Sequence, residues 1–350
     1  MLHIPIALDV NRNQKKYSTM LDQAYSKLGQ QVYRNKPLLF SQGWGDATVF
    51  SSIHSWDAFR STPDPVQINW QGKSVYQDQV YCREANFISA FDHASLALET
   101  RRACFRIVLP EKNFSGPLYI HLAASGDEGF EHRYRTMALP LARKGIASII
   151  LENPFFGQRR PAKQYKVRLR FASDLLLLGA LAVQDVRALL CNFREKHQGL
   201  IGVTGISMGG HLTALAAALC QEKIAVVPCL APHSGAAVFV DGLTATHIDW
   251  QRLAVEAGGM KQARTLLRQV LEFTSIENLP KPSVVQAVRG VSARHDGFVP
   301  WSSSLVWQRH WQQTSFLSVR GGHVKNILLR KKLFQQLLFE AMQSLKLSLP

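Results

Sequence analysis

The feature that most limits the fold is a regular alternation of short apolar segments and helix-like segments from about residue 105 onward. The apolar segments are rich in Val, Ile and Leu with little polar alternation, which is typical of strands buried on both faces. The predicted strands are 105–110, 118–124, 147–154, 200–205, 224–231, 283–293 and 315–319. Because strands alternate with helices, we predict an α/β fold with a mostly parallel central sheet and helices on both faces.

Two regions interrupt this alternation. Residues 1–103 mix Trp, Pro and polar residues, and we interpret them as an N-terminal extension that leads into the first antiparallel strands. Residues 234–282 contain helix-like pieces, and an insertion of this kind between two strands is typical of a small cap or lid. We therefore predict one domain whose core is formed by residues 104–233 and 283–350.

The net charge of +16 favours an anionic partner, such as an acidic substrate or a phospholipid surface. The chain contains no helix-turn-helix, zinc-finger or RNP signature, which disfavours nucleic acid as the partner. The odd number of cysteines, five in all and none in a CxxC pair, is typical of a reducing compartment.

The termini and apolar stretches bear on localisation. Residues 1–16 lack the basic start and long apolar stretch of a signal peptide, and residues 175–183 are too short to span a bilayer. We expect a cytoplasmic protein, soluble or peripheral to a membrane. The sequence leaves its oligomeric state open.

A GxSxG motif, Gly205-Ile206-Ser207-Met208-Gly209, follows the apolar run "LIGV" and precedes the helix-like "LTALAAALC". Such a strand must turn at once into a helix, and side chains at 205 and 209 would collide with neighbouring backbone. The turn raises the serine hydroxyl above the sheet edge, in front of a helix N-terminus that favours developing negative charge. We predict Ser207 as a nucleophile.

A nucleotide-binding interpretation and a metal site are both disfavoured. "TGISMGG" resembles the TGxxxGxG of short-chain dehydrogenases, but that fingerprint follows the first strand of a domain, and no YxxxK occurs in this chain. The histidines show no HExxH or other metal-ligand spacing. We therefore predict no metal and no cofactor.

A serine nucleophile needs a base and an acid, which in α/β-hydrolases follow it in the order acid, histidine. Asp296 comes after the predicted strand 283–293, and His323 lies in a glycine-framed loop after the strand 315–319. We predict these two as the partners of Ser207, with Asp241 as the alternative acid. Among the other histidines, His211 is expected to pack or cap, and His233 either lines the pocket or is structural.

The oxyanion of an acyl-transfer intermediate requires two backbone donors. One is expected from the N–H of Met208. The other is expected from the loop that follows the strand 118–124, where Ser125-Gly126-Asp127 turns before a helix.

A basic stretch follows the strand 147–154. Arg159 and Arg160, followed by further basic residues, could bind a phosphate or carboxylate bidentately. A solvated basic loop explains the same residues equally well, and the sequence leaves both interpretations open.

Several segments together resemble a known family. They are QGWG (42–45), IHLAASGDEGFEHR (120–133), ILENPFFGQRRP (150–161), GVTGISMGGH (202–211), VVQAVRGVSARHDGFVP (284–300) and RGGHVKN (320–326). The chain resembles the α/β-hydrolase superfamily and, more narrowly, the α/β-hydrolase-domain-containing protein 18 family. Its insertion over residues 234–282 is short, whereas eukaryotic members can have a much longer one.

The resemblance implies an α/β-hydrolase fold and a serine hydrolase that acts on a lipid ester, with Ser207, Asp296 and His323 as its triad. The positive charge favours a phospholipid among such esters. Two alternatives stay open. The same triad could transfer the acyl group to another acceptor or cleave a peptide, or the chain could be a non-catalytic, basic protein that binds lipid or membrane.

Overall fold

The computed structural model describes residues 20–54, 56, 59, 61–312 and 314–349. The segment 1–16, for which we predicted no signal peptide, lies outside the described residues. A nine-stranded sheet forms the centre of the molecule. Its strands are β1 (Asn69–Gln77), β2 (Val80–Ile88), β3 (Arg102–Leu109), β4 (Leu118–Leu122), β5 (Ala147–Leu151), β6 (Ile201–Ile206), β7 (Ala225–Cys229), β8 (Arg289–Ala293) and β9 (Ser315–Val319).

The strand order is β1-β2-β3-β5-β4-β6-β7-β8-β9. The pairs β1·β2, β2·β3 and β3·β5 are antiparallel, and every pair from β5 to β9 is parallel. The predicted α/β architecture with a mostly parallel sheet is therefore confirmed. Because β4 to β9 are parallel, their carboxyl ends meet at one edge of the sheet, where the loops that carry Ser207, Asp296 and His323 emerge.

Helices cover both faces. They are α1 (Met20–Val32), α2 (Ala47–Ser52), α3 (Leu98–Arg101), α4 (Glu131–Arg133), α5 (Leu139–Ala142), α6 (Ala172–Lys196), α7 (Met208–Ala218), α8 (Trp250–Ala257), α9 (Met260–Glu272), α10 (Trp301–His310), α11 (His323–Leu329) and α12 (Lys331–Leu347). Alternate residues of a strand show the two layers. Leu118 and Ile120 of β4 pack in the core that contains α6 and α7, whereas Tyr119 packs in the core that contains α12.

The first two strands form a hairpin that the sequence alternation did not resolve. Asp78 and Gln79 at its turn both have positive φ (52° and 67°), as two-residue hairpin turns require. All of β1 is exposed, which explains why its residues lack the apolar character of a core strand.

Several predicted elements are shorter or less regular than the sequence suggested. The strands predicted over 118–124, 147–154 and 224–231 end at Leu122, Leu151 and Cys229. The strand predicted over 283–293 is confined to β8, because a 3₁₀ turn (Val285–Ala287) precedes it. The predicted helix after the oxyanion loop is divided by a π-helical turn (Tyr134–Ala138). Pro140 lacks an N–H and cannot bond the Thr136 carbonyl, which accepts from Gln335 Nε2 at 2.9 Å instead.

The segment predicted as a cap contains a π-helical turn (Ala237–Asp241), a 3₁₀ turn (Leu243–His247), α8 and α9. Its apolar side chains, such as Leu253 and Leu271, are buried in the same core as α6. The N-terminal region is hydrogen-bonded to this segment, because Trp44 Nε1 donates to the Leu253 carbonyl at 3.0 Å. Among the helices described, none combines the length and apolar character needed to cross a membrane.

Candidate active site

Ser207 stands at a sharp turn between β6 and α7. Its backbone has φ 57° and ψ −120°, a conformation that L-residues rarely adopt and that marks stored strain. The glycines make this turn possible. A Cβ at Gly205 would collide with the backbone of Gly209, and one at Gly209 would lie 2.5 Å from the Leu122 carbonyl oxygen. The strained turn therefore places a serine side chain at the carboxyl edge of the sheet.

Asp296 and His323 form a buried pair at the same edge. His323 Nδ1 lies 2.6 Å from Asp296 Oδ2, and each residue is 6% exposed. The other carboxylate oxygen, Oδ1, accepts the N–H groups of Phe298 (2.9 Å) and Val299 (2.8 Å), which fixes the carboxylate in its loop. With Asp296 ionised, the shared proton lies on Nδ1, so Nε2 keeps a lone pair that can accept a proton.

The charge of the pair is tuned by its surroundings. Burial alone would lower the pKa of His323, but the nearby Asp296 carboxylate and its hydrogen bond more than offset that effect, with a further contribution from Asp22. The pKa of His323 is consequently raised above its ordinary value of 6.5. A basic imidazole of this kind suits a proton acceptor from a hydroxyl group.

The predicted residues follow three strands, β6, β8 and β9, whose carboxyl ends lie along one edge of the sheet, with β7 between β6 and β8. Ser207 follows β6, and its N–H donates to the carbonyl of Cys229, the last residue of β7, at 2.8 Å. Asp296 follows β8, and His323 follows β9. Residues almost 120 positions apart in the chain are thus brought to the same edge of the sheet.

Two elements could supply oxyanion donors. Met208 is the first residue of α7, where N–H groups lack intrahelical acceptors. Ser125 and Gly126 lie in an exposed turn after β4, and Ser125 Oγ is 3.5 Å from the Met208 sulfur. The predicted loop therefore lies beside the start of α7, and its role as a donor remains a prediction.

The structure corrects the interpretation of Arg159 as a substrate contact. Arg159 is completely buried, and its guanidinium forms an ion pair at 2.8 Å with Asp185, which is also completely buried. The remaining donors bond the carbonyls of Thr100 and Glu152. The arginine is therefore part of the core, because a guanidinium so far from solvent requires a buried counter-charge and acceptors.

The other predicted residues occupy different environments. Arg160 is half-buried and pairs with Glu128 at 3.2 Å. His233 Nδ1 bonds Ser303 Oγ at 2.9 Å, and burial lowers the pKa of the imidazole. Neither residue's contact with a substrate is tested, so both remain predictions.

The alternative acid and the helix histidine have other partners. Asp241 forms an ion pair with Arg268 of α9, whereas the partner of His323 Nδ1 is Asp296. His211 Nδ1 bonds the Pro232 carbonyl at 3.0 Å, and burial lowers the pKa of its imidazole to about 4. The structure thus favours Asp296 over Asp241 as the partner of His323.

An apolar cavity of about 50 Å³ lies between α6, α7 and the cap. Gly179 of α6, Met208 and Leu212 of α7, and Leu271 of α9 are among its lining residues. Because Met208 adjoins Ser207 in the chain, the cavity begins next to the candidate nucleophile. Sequence patterns did not reveal it, since these residues look like ordinary core positions.

Two further groups near the site were missed from the sequence. Asn153, in the motif "LENP", donates from Nδ2 to the Ala123 carbonyl at 2.9 Å and so fixes the start of the oxyanion loop. Asp22 of α1 is completely buried and bonds the His323 loop. Nothing in the local sequence indicated either contact, although the segment 150–161, which contains Asn153, was singled out for its family resemblance. In the part of the chain that the structure describes, no group of His, Cys, Asp and Glu has the arrangement of a metal site.

The architecture and the strained serine turn define an α/β-hydrolase. The family model described as "Alpha/beta hydrolase domain containing 18" matches residues 37–260 and 255–344, and the chain belongs to this family. The prediction made from its motifs is therefore confirmed.

Solved structures show the same fold at low sequence identity. An esterase from an Arctic intertidal metagenomic library is 17% identical, with a TM-score of 0.53 over 79% of this chain and 99% of that chain. Acetyl xylan esterase 1 from Thermoanaerobacterium sp. JW/SL YS485 is 14% identical, with a TM-score of 0.54 over 88% and 98%. A peroxisomal α/β-hydrolase from Saccharomyces cerevisiae is 13% identical, with a TM-score of 0.51 over 78% and 92%.

Proposed function

We propose that the protein is a serine hydrolase that cleaves a carboxylic ester, with Ser207, His323 and Asp296 as its triad. The observation that carries this proposal is the buried His323–Asp296 pair, 2.6 Å apart, at the sheet edge from which the strained Ser207 turn emerges. The family match and the fold of the two esterases support the same chemistry.

The proposed mechanism is acyl transfer through an acyl-enzyme. His323 Nε2 removes the Ser207 proton as Oγ attacks the ester carbonyl, and Asp296 stabilises the imidazolium that results. The N–H of Met208 and a donor from the Ser125–Gly126 turn stabilise the oxyanion. His323 then protonates the leaving alcohol, and water hydrolyses the acyl-enzyme by the same steps.

The proposed substrate is a lipid ester. The cavity beside Met208 is lined mostly by apolar side chains, which suits the first carbons of an acyl chain rather than a polar acyl group. At about 50 Å³ the cavity is small, so the rest of a long chain would have to lie along the junction of α6 and the cap.

We also propose that an anionic phospholipid bilayer is the surface on which the protein acts. The outer face of α1 exposes Leu21, Tyr25, Leu28 and Val32 at helical spacing, here called the apolar face of α1. An apolar helix face exposed to water is typical of a surface that binds a partner.

Charge and position support a bilayer as that partner. The cations Lys36 and Lys166 are exposed next to the C-terminal end of α1, where Lys166 Nζ lies 5.9 Å from the centre of the Tyr33 ring. The N-terminal half of α1 lies beside the candidate active site, because the Tyr25 ring contacts the Phe298 ring, with centroids 6.3 Å apart. Phe298 in turn lies 5.5 Å from the His323 ring.

The triad is tested by labelling with a fluorophosphonate probe and by hydrolysis of p-nitrophenyl esters. The unmodified protein should label and hydrolyse, Ser207→Ala should do neither, and the exposed control Ser283→Ala should behave as the unmodified protein. A folded wild-type protein that neither labels nor hydrolyses, under conditions that label a control hydrolase, would contradict the proposal.

The bilayer is tested by sedimentation with vesicles of phosphatidylcholine, with and without phosphatidylglycerol. Binding should require the anionic lipid, weaken with salt and be lost in Leu28→Glu, but not in Leu347→Glu, which changes an exposed leucine on α12. Equal binding by the two variants would overturn the assignment. Concentration-dependent dimers that Leu28→Glu abolishes, without vesicle binding, would instead assign the face to a second copy of the chain.

A further inference from the structure

Helix α1 is buried on its polar side. Its buried residues are Asp22 and Ser26, while the apolar face of α1 is exposed. Burying a carboxylate is costly unless hydrogen bonds compensate, so the partners of Asp22 explain why the helix is oriented this way.

The Asp22 carboxylate binds two loops of the candidate active site at once. Oδ2 accepts the N–H of His323 at 2.8 Å and the N–H of Gly297 at 3.0 Å. Oδ1 accepts the N–H of Val324 at 3.0 Å. Gly297 follows Asp296, so one carboxylate links the backbone of the acid loop to that of the histidine loop.

This link acts on the geometry of the His323–Asp296 pair. The two side chains meet across loops that follow different strands, β8 and β9, and their 2.6 Å contact depends on the separation of those loops. Asp296 fixes its own loop through Phe298 and Val299, but the N–H of His323 is held by Asp22.

Asp22 also affects the charge of the His323 imidazole. Asp296, after β8, and Asp22, on α1, are the charged groups that favour the imidazolium form of His323 in the described part of the chain. Both carboxylates therefore stabilise the cation that forms when His323 accepts the serine proton.

We propose that Asp22 is a positioning residue that locks the acid and histidine loops together and supports the charged imidazole of the triad. The inference rests on the proposed function. It assigns to the N-terminal helix a direct part in the geometry of a site that is otherwise built by the carboxyl ends of the strands.

The test compares Asp22→Asn with Asp249→Asn. Asparagine at 22 presents an N–H₂ group to backbone donors and removes the negative charge. Asp22 caps α11, because it accepts the N–H groups of the first two residues of that helix. Asp249 is a matched control, because its carboxylate caps another helix, α8, and does not contact the triad loops. For Asp22→Asn we expect kcat for a soluble ester to fall between about 10- and 100-fold, the range for a displaced catalytic group, with KM little changed.

A merely structural role would not change the pH profile. In Asp22→Asn the acid limb of kcat/KM should move to lower pH, because the imidazolium loses a stabilising charge. NMR titration of the His323 imidazole should show the same shift without relying on turnover. Asp22→Glu keeps the charge but displaces the oxygens, so its acid limb should stay at the wild-type pH while kcat falls.

Several outcomes would overturn the proposal. An unchanged acid limb in folded Asp22→Asn, or the same loss of kcat in Asp249→Asn, contradicts it. If the Asp22 variants do not fold, amide hydrogen exchange in the unmodified protein decides, since the amides of Gly297, His323 and Val324 should be strongly protected and rapid exchange contradicts the link. If the wild-type protein labels at Ser207 but Asp22→Asn behaves as wild type, only this inference fails; if wild type does not label, the proposed function itself fails.

Discussion

Gly179 offers a direct test of the cavity as the acyl-binding pocket. It lies in α6 and lines the cavity, and a Cβ added there would meet no atom within 4 Å. A cavity needs at least about 10–15 Å³ of such space to hold one water-sized group, and a methyl group is of similar size. The methyl of Gly179→Ala would therefore remove at least about a quarter of the cavity volume of about 50 Å³.

The consequence for catalysis follows from the burial of methylenes. Each buried methylene contributes about 0.8 kcal/mol, which is roughly a fourfold change in kcat/KM. Gly179→Ala should thus shorten the preferred acyl chain by one carbon and lower the ratio of kcat/KM for the preferred ester to that for the acetyl ester about fourfold. Alanine also favours a helix over glycine by about 0.5–1 kcal/mol, so reduced stability cannot explain the loss.

The assay is hydrolysis of a p-nitrophenyl ester series from acetyl to octanoyl by the wild-type protein and Gly179→Ala. The acetyl ester serves as the internal control, because its single methyl does not need the full depth of the cavity. A chain-length profile that is identical in the two proteins, or an equal fall for every ester, would refute the pocket assignment.

Three other predictions test the core and the site. Gly209→Ala places a Cβ 2.5 Å from the Leu122 carbonyl oxygen. The start of α7 and the segment that leads to the Ser125–Gly126 turn must then move apart, which should lower kcat about 100-fold in steady-state assays. Asp185→Asn leaves the Arg159 guanidinium buried without its counter-charge, and chemical denaturation should show a loss of about 3–5 kcal/mol in the free energy of unfolding. The acid limb of kcat/KM should have its midpoint above pH 6.5, because the pKa of His323 is raised and the imidazole must be neutral to accept a proton.

Each of these has a control or a contradicting result. Gly209→Ala should keep the far-UV circular dichroism of the wild type, and full activity would show that the turn tolerates a side chain. Glu128→Gln breaks the half-exposed pair with Arg160 and should cost less than about 1 kcal/mol, so equal losses for the two pairs would contradict the assigned burial. Asp296→Asn should move the midpoint of the acid limb of kcat/KM to lower pH. A wild-type midpoint at or below pH 6.5 would contradict the electrostatic argument.

Much of the fold could be predicted because it depends on local patterns. The strands from β3 to β9 are recognisable in the sequence as short apolar runs. The reason is clearest for β4 to β8, which are parallel and buried on both faces. The exposed β1 has no such run, because its side chains lie on the surface while its backbone pairs with β2. The sequence did not predict the division of the helix after β4. Pro140 has no N–H to donate to the Thr136 carbonyl, and the donor that replaces it, Gln335 Nε2, is distant in the chain.

The candidate site shows the same distinction. The glycines around Ser207 are required by a turn within five residues, so the motif alone predicts the strained conformation that the structure has. Asp296 was predicted as the partner of His323 from its place after a strand, with Asp241 as the alternative, and the observed pairings favour Asp296.

The sequence by itself determined the parallel sheet, the order of its strands along the chain and the turn that presents Ser207, because hydrophobic periodicity and glycine requirements act over a few residues. Only the tertiary structure decided that Arg159 is a buried ion-pair partner rather than a surface cation, that Gly179 borders a cavity, and that Asp22 holds the His323 loop. These properties depend on atoms more than 20 residues apart in the chain. Burial, counter-charge and the satisfaction of backbone donors are set by what the completed fold brings together, and no local pattern encodes them.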